Sequence, residues 1–250
     1  MRKVPEITVY FWIVKLLTTA MGEATSDYLV HRFDPVIAVG FAGIVLAAAL
    51  VLQFRARRYV PWIYWLAVVM VAVFGTMAAD VLHIKFGVPY AVSTALFAVV
   101  LTVVFVAWHA SEKTLSIHSI DTPRREAFYW ATVMATFALG TAAGDLTATT
   151  LGLGYLTSGV LFAVLIAVPA VGYRWLGFNE IFAFWFAYIV TRPLGASFAD
   201  WMGKSHRVGG LALGDGLVSA VLAVLIVGFV VYLSVSHKDA ERDRGSLQTS

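Results

Sequence analysis

The chain contains no cysteine, which excludes disulfides and thiolate metal sites. Charge is scarce as well. Asp, Glu, Lys and Arg make up 13% of the 250 residues, against about 25% in soluble domains. The motifs of common enzyme chemistry are missing too: there is no phosphate loop, dinucleotide fingerprint, catalytic triad or histidine-rich zinc spacing. No set of base, nucleophile and acid converges, so an enzyme is not expected and no obligatory cofactor is implied.

What is abundant is hydrocarbon. Hydrophobic residues make up 60% of the chain. They fall in eight stretches, roughly 7–29, 35–54, 60–82, 89–109, 127–149, 154–173, 180–201 and 211–235. A run of about 20 apolar residues is long enough to cross a bilayer, and no soluble domain fits between these runs. The expected fold class is all-α, a polytopic membrane protein of eight transmembrane helices. Residues 1–236 form its single transmembrane domain, and 237–250 are expected to be a solvated cytoplasmic tail. The opening Met-Arg-Lys and apolar run superficially resembles a signal peptide. Lys15, Glu23 and Asp27 inside the run, and the lack of a clear small-residue cleavage site, mark it instead as the first span.

Orientation follows from the basic residues. Twelve lysines and arginines collect on the side of both termini, Arg55, Arg57, Arg58, Arg124 and Arg125 among them. Arg32, Lys85, Lys204 and Arg207 fall on the other side. This bias predicts a bacterial inner-membrane protein with both termini in the cytoplasm. It also accounts for the pI near 9.2 without a nucleic-acid partner; the bilayer is the expected partner, and a homo-oligomer is left open.

The chain repeats itself four times. A tryptophan is followed by a glycine ten residues on and an aspartate fifteen residues on: Trp12/Gly22/Asp27, Trp65/Gly75/Asp80, Trp130/Gly140/Asp145 and Trp185/Gly195/Asp200. The units run about 3–56, 57–119, 120–177 and 178–236, each a Trp-Gly-Asp span followed by an apolar one. Two spans per unit make the repeats parallel, about a pseudo-symmetric axis along the membrane normal. The tryptophans read as anchors at the cytoplasmic interface, and the glycines as close-packing points or bends. Pro193 makes the seventh span the best candidate for a break.

Stepping back from each aspartate by four residues follows one helical face. It reads Lys15, Thr19, Glu23, Asp27; then Val68, Ala72, Thr76, Asp80; then Val133, Phe137, Thr141, Asp145; then Tyr188, Arg192, Ala196, Asp200. One column over stand Thr18, Thr136 and Thr191, with Val71 as the exception. An intramembrane acid is costly and marks a functional site by default. Five acids (Glu23, Asp27, Asp80, Asp145, Asp200) against two bases (Lys15, Arg192) leave three negative charges that need protons or cations. Carboxylates and hydroxyls suit hard divalent cations. His31 and His83, one turn beyond Asp27 and Asp80, could extend such a site, whereas Asp34 before Pro35 reads as a helix cap and Asp215 as a second one.

These residues resemble a family of bacterial integral membrane proteins of unknown function. That family is built of four tandem repeats, each with two transmembrane regions and a characteristic tryptophan. The segments at 3–8 (Lys-Val-Pro-Glu-Ile-Thr), 22–27 (Gly-Glu-Ala-Thr-Ser-Asp), 139–145 (Leu-Gly-Thr-Ala-Ala-Gly-Asp) and 191–201 look like its motifs. The resemblance implies a polytopic inner-membrane protein, often labelled membrane-anchored, and supplies no substrate. The site argument supplies the functional expectation: a transporter for a hard divalent cation, Mn²⁺ above others, coupled to protons. Asp27, Asp80, Asp145, Asp200 and Glu23 bind the metal or carry protons. Thr76, Thr141, Thr19 and Tyr188 assist, and Lys15 and Arg192 tune or gate. A cation channel, or a structural membrane protein with buried ion pairs, is the alternative.

Overall fold

Six of the eight α-helices begin where the sequence supplies a side-chain cap or a proline. In the computed structural model, which describes residues 2–239, α1 (Val9–Arg32) starts after Thr8, whose hydroxyl accepts from Phe11 N. Asp34 caps α2 (Pro35–Arg55) as expected, accepting from Val36 N and Ile37 N, with Pro35 in the first turn. Pro61 opens α3 (Pro61–Ile84), Pro89 precedes α4 (Tyr90–Glu112), and Pro123 opens α5 (Pro123–Asp145) behind the Thr122 cap. Proline suits these positions because a first-turn N–H has no helical acceptor anyway. A turn of π-helix, Leu146–Thr150, follows α5, and then come α6 (Gly154–Trp175), α7 (Glu180–Gly203) and α8 (Asp215–Ser236). Asp215 is the first residue of α8 and makes no capping hydrogen bond, contrary to expectation; Gly214 takes the cap position with a positive φ of 84°.

No strand occurs among the described residues. Six of the helices (α2, α3, α4, α6, α7 and α8) are long and apolar enough to cross a membrane, so the chain is a multi-pass membrane protein. The other two, α1 and α5, carry more charge, including Lys15, Glu23 and Asp27 in α1 and Arg124, Arg125, Glu126 and Asp145 in α5. The expected tail falls mostly at 240–250, outside the described residues.

The odd-numbered helices touch in a closed ring: α1 on α3, α3 on α5, α5 on α7, and α7 back on α1. The even ones pack around them. Burial reaches 67% over the span of α7 and only 17% over that of α4. Each even helix lies mainly on the odd helix of the following unit: α2 on α3, α4 on α5, α6 on α7, and α8 on α1. The last unit is thereby joined to the first.

The repeated glycines explain how close the ring can draw. A Cβ on Gly22 would overlap Ala72, one on Gly75 would come within 3.0 Å of Phe137 Cβ, one on Gly140 would overlap Arg192, and one on Gly195 would overlap Thr19. At all four interfaces, therefore, the glycine at Trp+10 meets the residue at Trp+7 of the next odd helix. Without a hydrophobic drive between helices in lipid, such small-residue approach is a main source of association. None of the glycines breaks a helix, and α7 runs unbroken through Pro193. The irregularity expected there is found instead just past Asp145.

The tryptophans also hold the ring, which corrects their reading as interface anchors. Trp65, Trp130 and Trp185 are buried. Each packs against the aromatic residue that precedes the tryptophan of the unit before: Phe11–Trp65 (5.8 Å between centroids), Tyr64–Trp130 (5.7 Å) and Tyr129–Trp185 (6.2 Å), with Phe184–Trp12 (5.8 Å) closing the circle. Tyr64 and Tyr129 bring their hydroxyls within 2.5 Å inside this layer.

The N-terminal segment crosses the same end of the bundle. Lys3 N donates to Ile120 O, Tyr59 N to Arg2 O, and Glu6 N to Asp239 O. The Lys3 ammonium is buried against Glu126 Oε2 (2.7 Å) and Phe54 O (3.0 Å), while Gln53 Nε2 donates to Glu126 Oε1 (2.9 Å).

Candidate functional site

Above the aromatic layer the inward face is built in tiers, one residue from each odd helix. The first tier is Lys15, Val68, Val133 and Tyr188, all buried. Lys15 Nζ sits 4.0 Å from the ring centroid of Tyr188 and 4.5 Å from that of Phe137, and it has no hydrogen-bond partner. The rings' negative faces are its electrostatic company; no acid pairs with it among the described residues.

The next two tiers hold Thr19, Ala72, Phe137 and Arg192, then Glu23, Thr76, Thr141 and Ala196. Arg192 is completely buried and binds three other helices at once. Its Nη2 lies 2.6 Å from Glu23 Oε2 on α1 and 2.7 Å from Thr141 Oγ1 on α5, and it contacts Thr76 Oγ1 on α3. Thr76 and Thr141 spend their own hydrogens on Ala72 O (2.9 Å) and Phe137 O (3.1 Å), one turn back. Their lone pairs are thereby left for the guanidinium. Thr19 instead donates to Leu16 O and Thr191 O, at the α1–α7 contact. The parallel column of Thr18, Thr136 and Thr191 bonds only backbone carbonyls of its own helices.

The aspartates form the last tier, and they are not equivalent. Glu23, Asp27 and Asp200 each offer a carboxylate oxygen, and these oxygens lie within 4.8 Å of one another. Lys204 reaches into this group, with Nζ 2.5 Å from Asp27 Oδ2 and 3.8 Å from Asp200 Oδ1. Burial alone favours its neutral amine, but Asp27 and Asp200 outweigh it and hold Lys204 protonated far above the ordinary lysine range. Asp80 and Asp145 lie near enough to feel the charge of Glu23 and Asp27, yet stand outside the group. Ser26 Oγ donates to Asp80 Oδ2 at a long 3.4 Å, and the Asp145 carboxylate has no hydrogen-bond or ion-pair partner among the described residues.

A ring of four equivalent aspartates is therefore replaced by a three-carboxylate group on α1 and α7. The two histidines stay out of it: His31 Nδ1 lies on Asp27 O (2.6 Å), and His83 is held by Val88 O and Ser93 Oγ. Lys204 is the residue that the charge count missed, having been placed among outer loop residues. It carried a usable signal, because one further four-residue step along the stripe from Asp200 lands on it. With Lys204 included, five acids face three bases, and two negative charges remain uncompensated. Oxygen-only donors at this spacing can hold a hard cation.

Fold and site together define a class, an all-helical multi-pass membrane protein with buried acidic groups on the axis of its inner helices. The repeats then identify the family. Residues 10–59, 63–114, 128–177 and 183–239 each match the family described as Repeat of Unknown Function (DUF347), and the chain belongs to it. No curated protein and no solved structure matches the chain.

Proposed function

We propose that the protein is a transporter for a hard divalent cation, with Mn²⁺ as the preferred cargo and protons as the coupling ion. The observation that carries this reading is the convergence of Glu23, Asp27 and Asp200 within 4.8 Å. In this reading all eight helices span the bacterial inner membrane, pseudo-symmetrically about the ring axis, with both termini in the cytoplasm. Neither imidazole nor thiolate enters the group, so softer metals such as zinc and copper gain no preferred ligand. Protons compete with the metal for the same carboxylates, which is the chemical basis of exchange.

A carrier is favoured over a channel by what fills the axis. Between the carboxylates and the end bearing the termini stand the Arg192 guanidinium, the Lys15 side chain and the ring of aromatic side chains. A cation held by the acids meets the buried Arg192 guanidinium and an aromatic layer, so passage requires rearrangement.

The test is Mn²⁺ flux into proteoliposomes under an imposed pH gradient. Asp27→Asn and Asp200→Asn keep size and an oxygen but remove the charge. Each should cut the initial rate by about tenfold or more, the cost of losing one charge-assisted contact. Flux through the double variant equal to wild type would overturn the assignment. Flux that persists but ignores the pH gradient would favour the channel.

A further inference from the structure

Among the basic groups of the inner tiers, Lys204 alone comes from outside the helices. Its backbone is fixed. Lys204 N donates to Asp200 O (2.8 Å), and Lys204 O accepts from Ala212 N (2.8 Å). The following loop is laced back onto α7 through Leu211 N to Trp201 O (2.7 Å) and Leu213 N to Met202 O (3.0 Å). Gly210 lies so close to the Lys204 carbonyl that a Cβ there would overlap it. The side chain is less confined: it is 22% exposed, while Asp200 beside it is 7% exposed. Only the ammonium can move far.

The charges can be assigned in pairs. Arg192 matches Glu23, and Lys204 stands against Asp27 and Asp200 together, leaving one negative charge over. With the ammonium withdrawn, Asp27 and Asp200 present two charges, which one divalent ion neutralises. One further acid lies close enough to act on Lys204. Asp215, at the start of α8, lies against Gly203, so that a Cβ on that glycine would overlap its Oδ1. It also adds to the negative field at Lys204.

Resting on the transporter reading, we propose that Lys204 is a tethered counter-cation: its ammonium occupies the carboxylate group when the protein is empty, and an arriving divalent cation displaces it toward Asp215. The lysine sets the affinity and keeps two carboxylates from standing unpaired between turnovers. Because the ammonium bears one charge and the cargo two, exchange changes the charge of the site from minus one to zero. A monovalent ion gains nothing over the lysine already present, which selects for divalent cargo.

The test uses the purified full-length chain and Mn²⁺ alone, with binding measured by calorimetry at fixed pH. Lys204→Met should bind Mn²⁺ about tenfold more tightly than wild type, as expected for removing a charge-assisted competitor. Lys204→Arg should stay near wild type, which controls for folding. Asp215→Asn should weaken binding several-fold more in the wild-type background than in the Lys204→Met background, where only its direct field on the site remains. A merely structural lysine gives the opposite sign, with Lys204→Met binding more weakly. Unchanged affinity in Lys204→Met, or an Asp215→Asn effect of the same size in both backgrounds, overturns the proposal. No binding to wild type overturns the transporter reading instead, so the two failures are distinct.

Discussion

Replacing Arg192 with methionine is expected to lower the unfolding free energy by about 3–5 kcal/mol, the range for breaking a buried ion pair from one side. The change strands the Glu23 carboxylate inside the ring and removes a side chain that joins α7 to α1, α3 and α5 together. Lysine should restore part of it, because all three contacts are made by Nη2 alone and an ammonium also offers three protons, though on a shorter stem. Glu23→Gln added to Arg192→Met should recover a large part of the loss, because no unpaired charge then remains. Unfolding of the purified protein in mixed micelles, followed by tryptophan fluorescence, reads all three. If Arg192→Met unfolds like wild type, the guanidinium is not the clasp described above.

A second large effect is expected at Gly140. An added Cβ would lie 2.6 Å from Arg192 Cβ and 3.0 Å from Pro193 Cδ, atoms close to the backbone of α7 that cannot swing aside. Gly140→Leu forces α5 and α7 apart, and overpacking of this kind costs about 1–3 kcal/mol or more. It also pulls Thr141 from Arg192, so the packing and polar losses add. Gly40→Leu, where nothing lies within 4 Å, is the matched control and should be nearly silent. The melting temperature in detergent separates the two; equal values would show that the ring interface yields.

The spacing of Trp, Gly and Asp made the repeats and the inward stripe legible in the sequence, and the apolar runs made the eight helices legible. The chemistry of the stripe was legible too, because an acid among apolar residues is conspicuous. Contacts between units were not. Whether a glycine bends its own helix or admits a neighbour depends on which helix lies beside it, and here that is the following unit's odd helix. The tryptophans misled for a related reason: an indole near a helix end suits a membrane interface or an aromatic stack, and only Phe11, Tyr64, Tyr129 and Phe184 decide which. Lys204 was hidden by its place in a loop, although it continues the Asp200 stripe. Lys3 entered the count of topological charges, yet its ammonium is buried on Glu126. In both cases a charge tallied for membrane orientation turned out to be an interior partner, and composition alone cannot separate those roles.

In the proposed function, Glu23, Asp27 and Asp200 form a binding site for a hard divalent cation. Electron paramagnetic resonance of Mn²⁺ added to the purified protein tests it most directly, since the sharp six-line signal of the hydrated ion is lost on binding. Wild type should remove free Mn²⁺ stoichiometrically near pH 7.5 and release it as the pH is lowered, when protons take the same oxygens. The Asp27→Asn/Asp200→Asn variant should leave the free signal untouched. An undiminished six-line spectrum with the wild-type protein, or equal loss with wild type and double variant, would contradict the account.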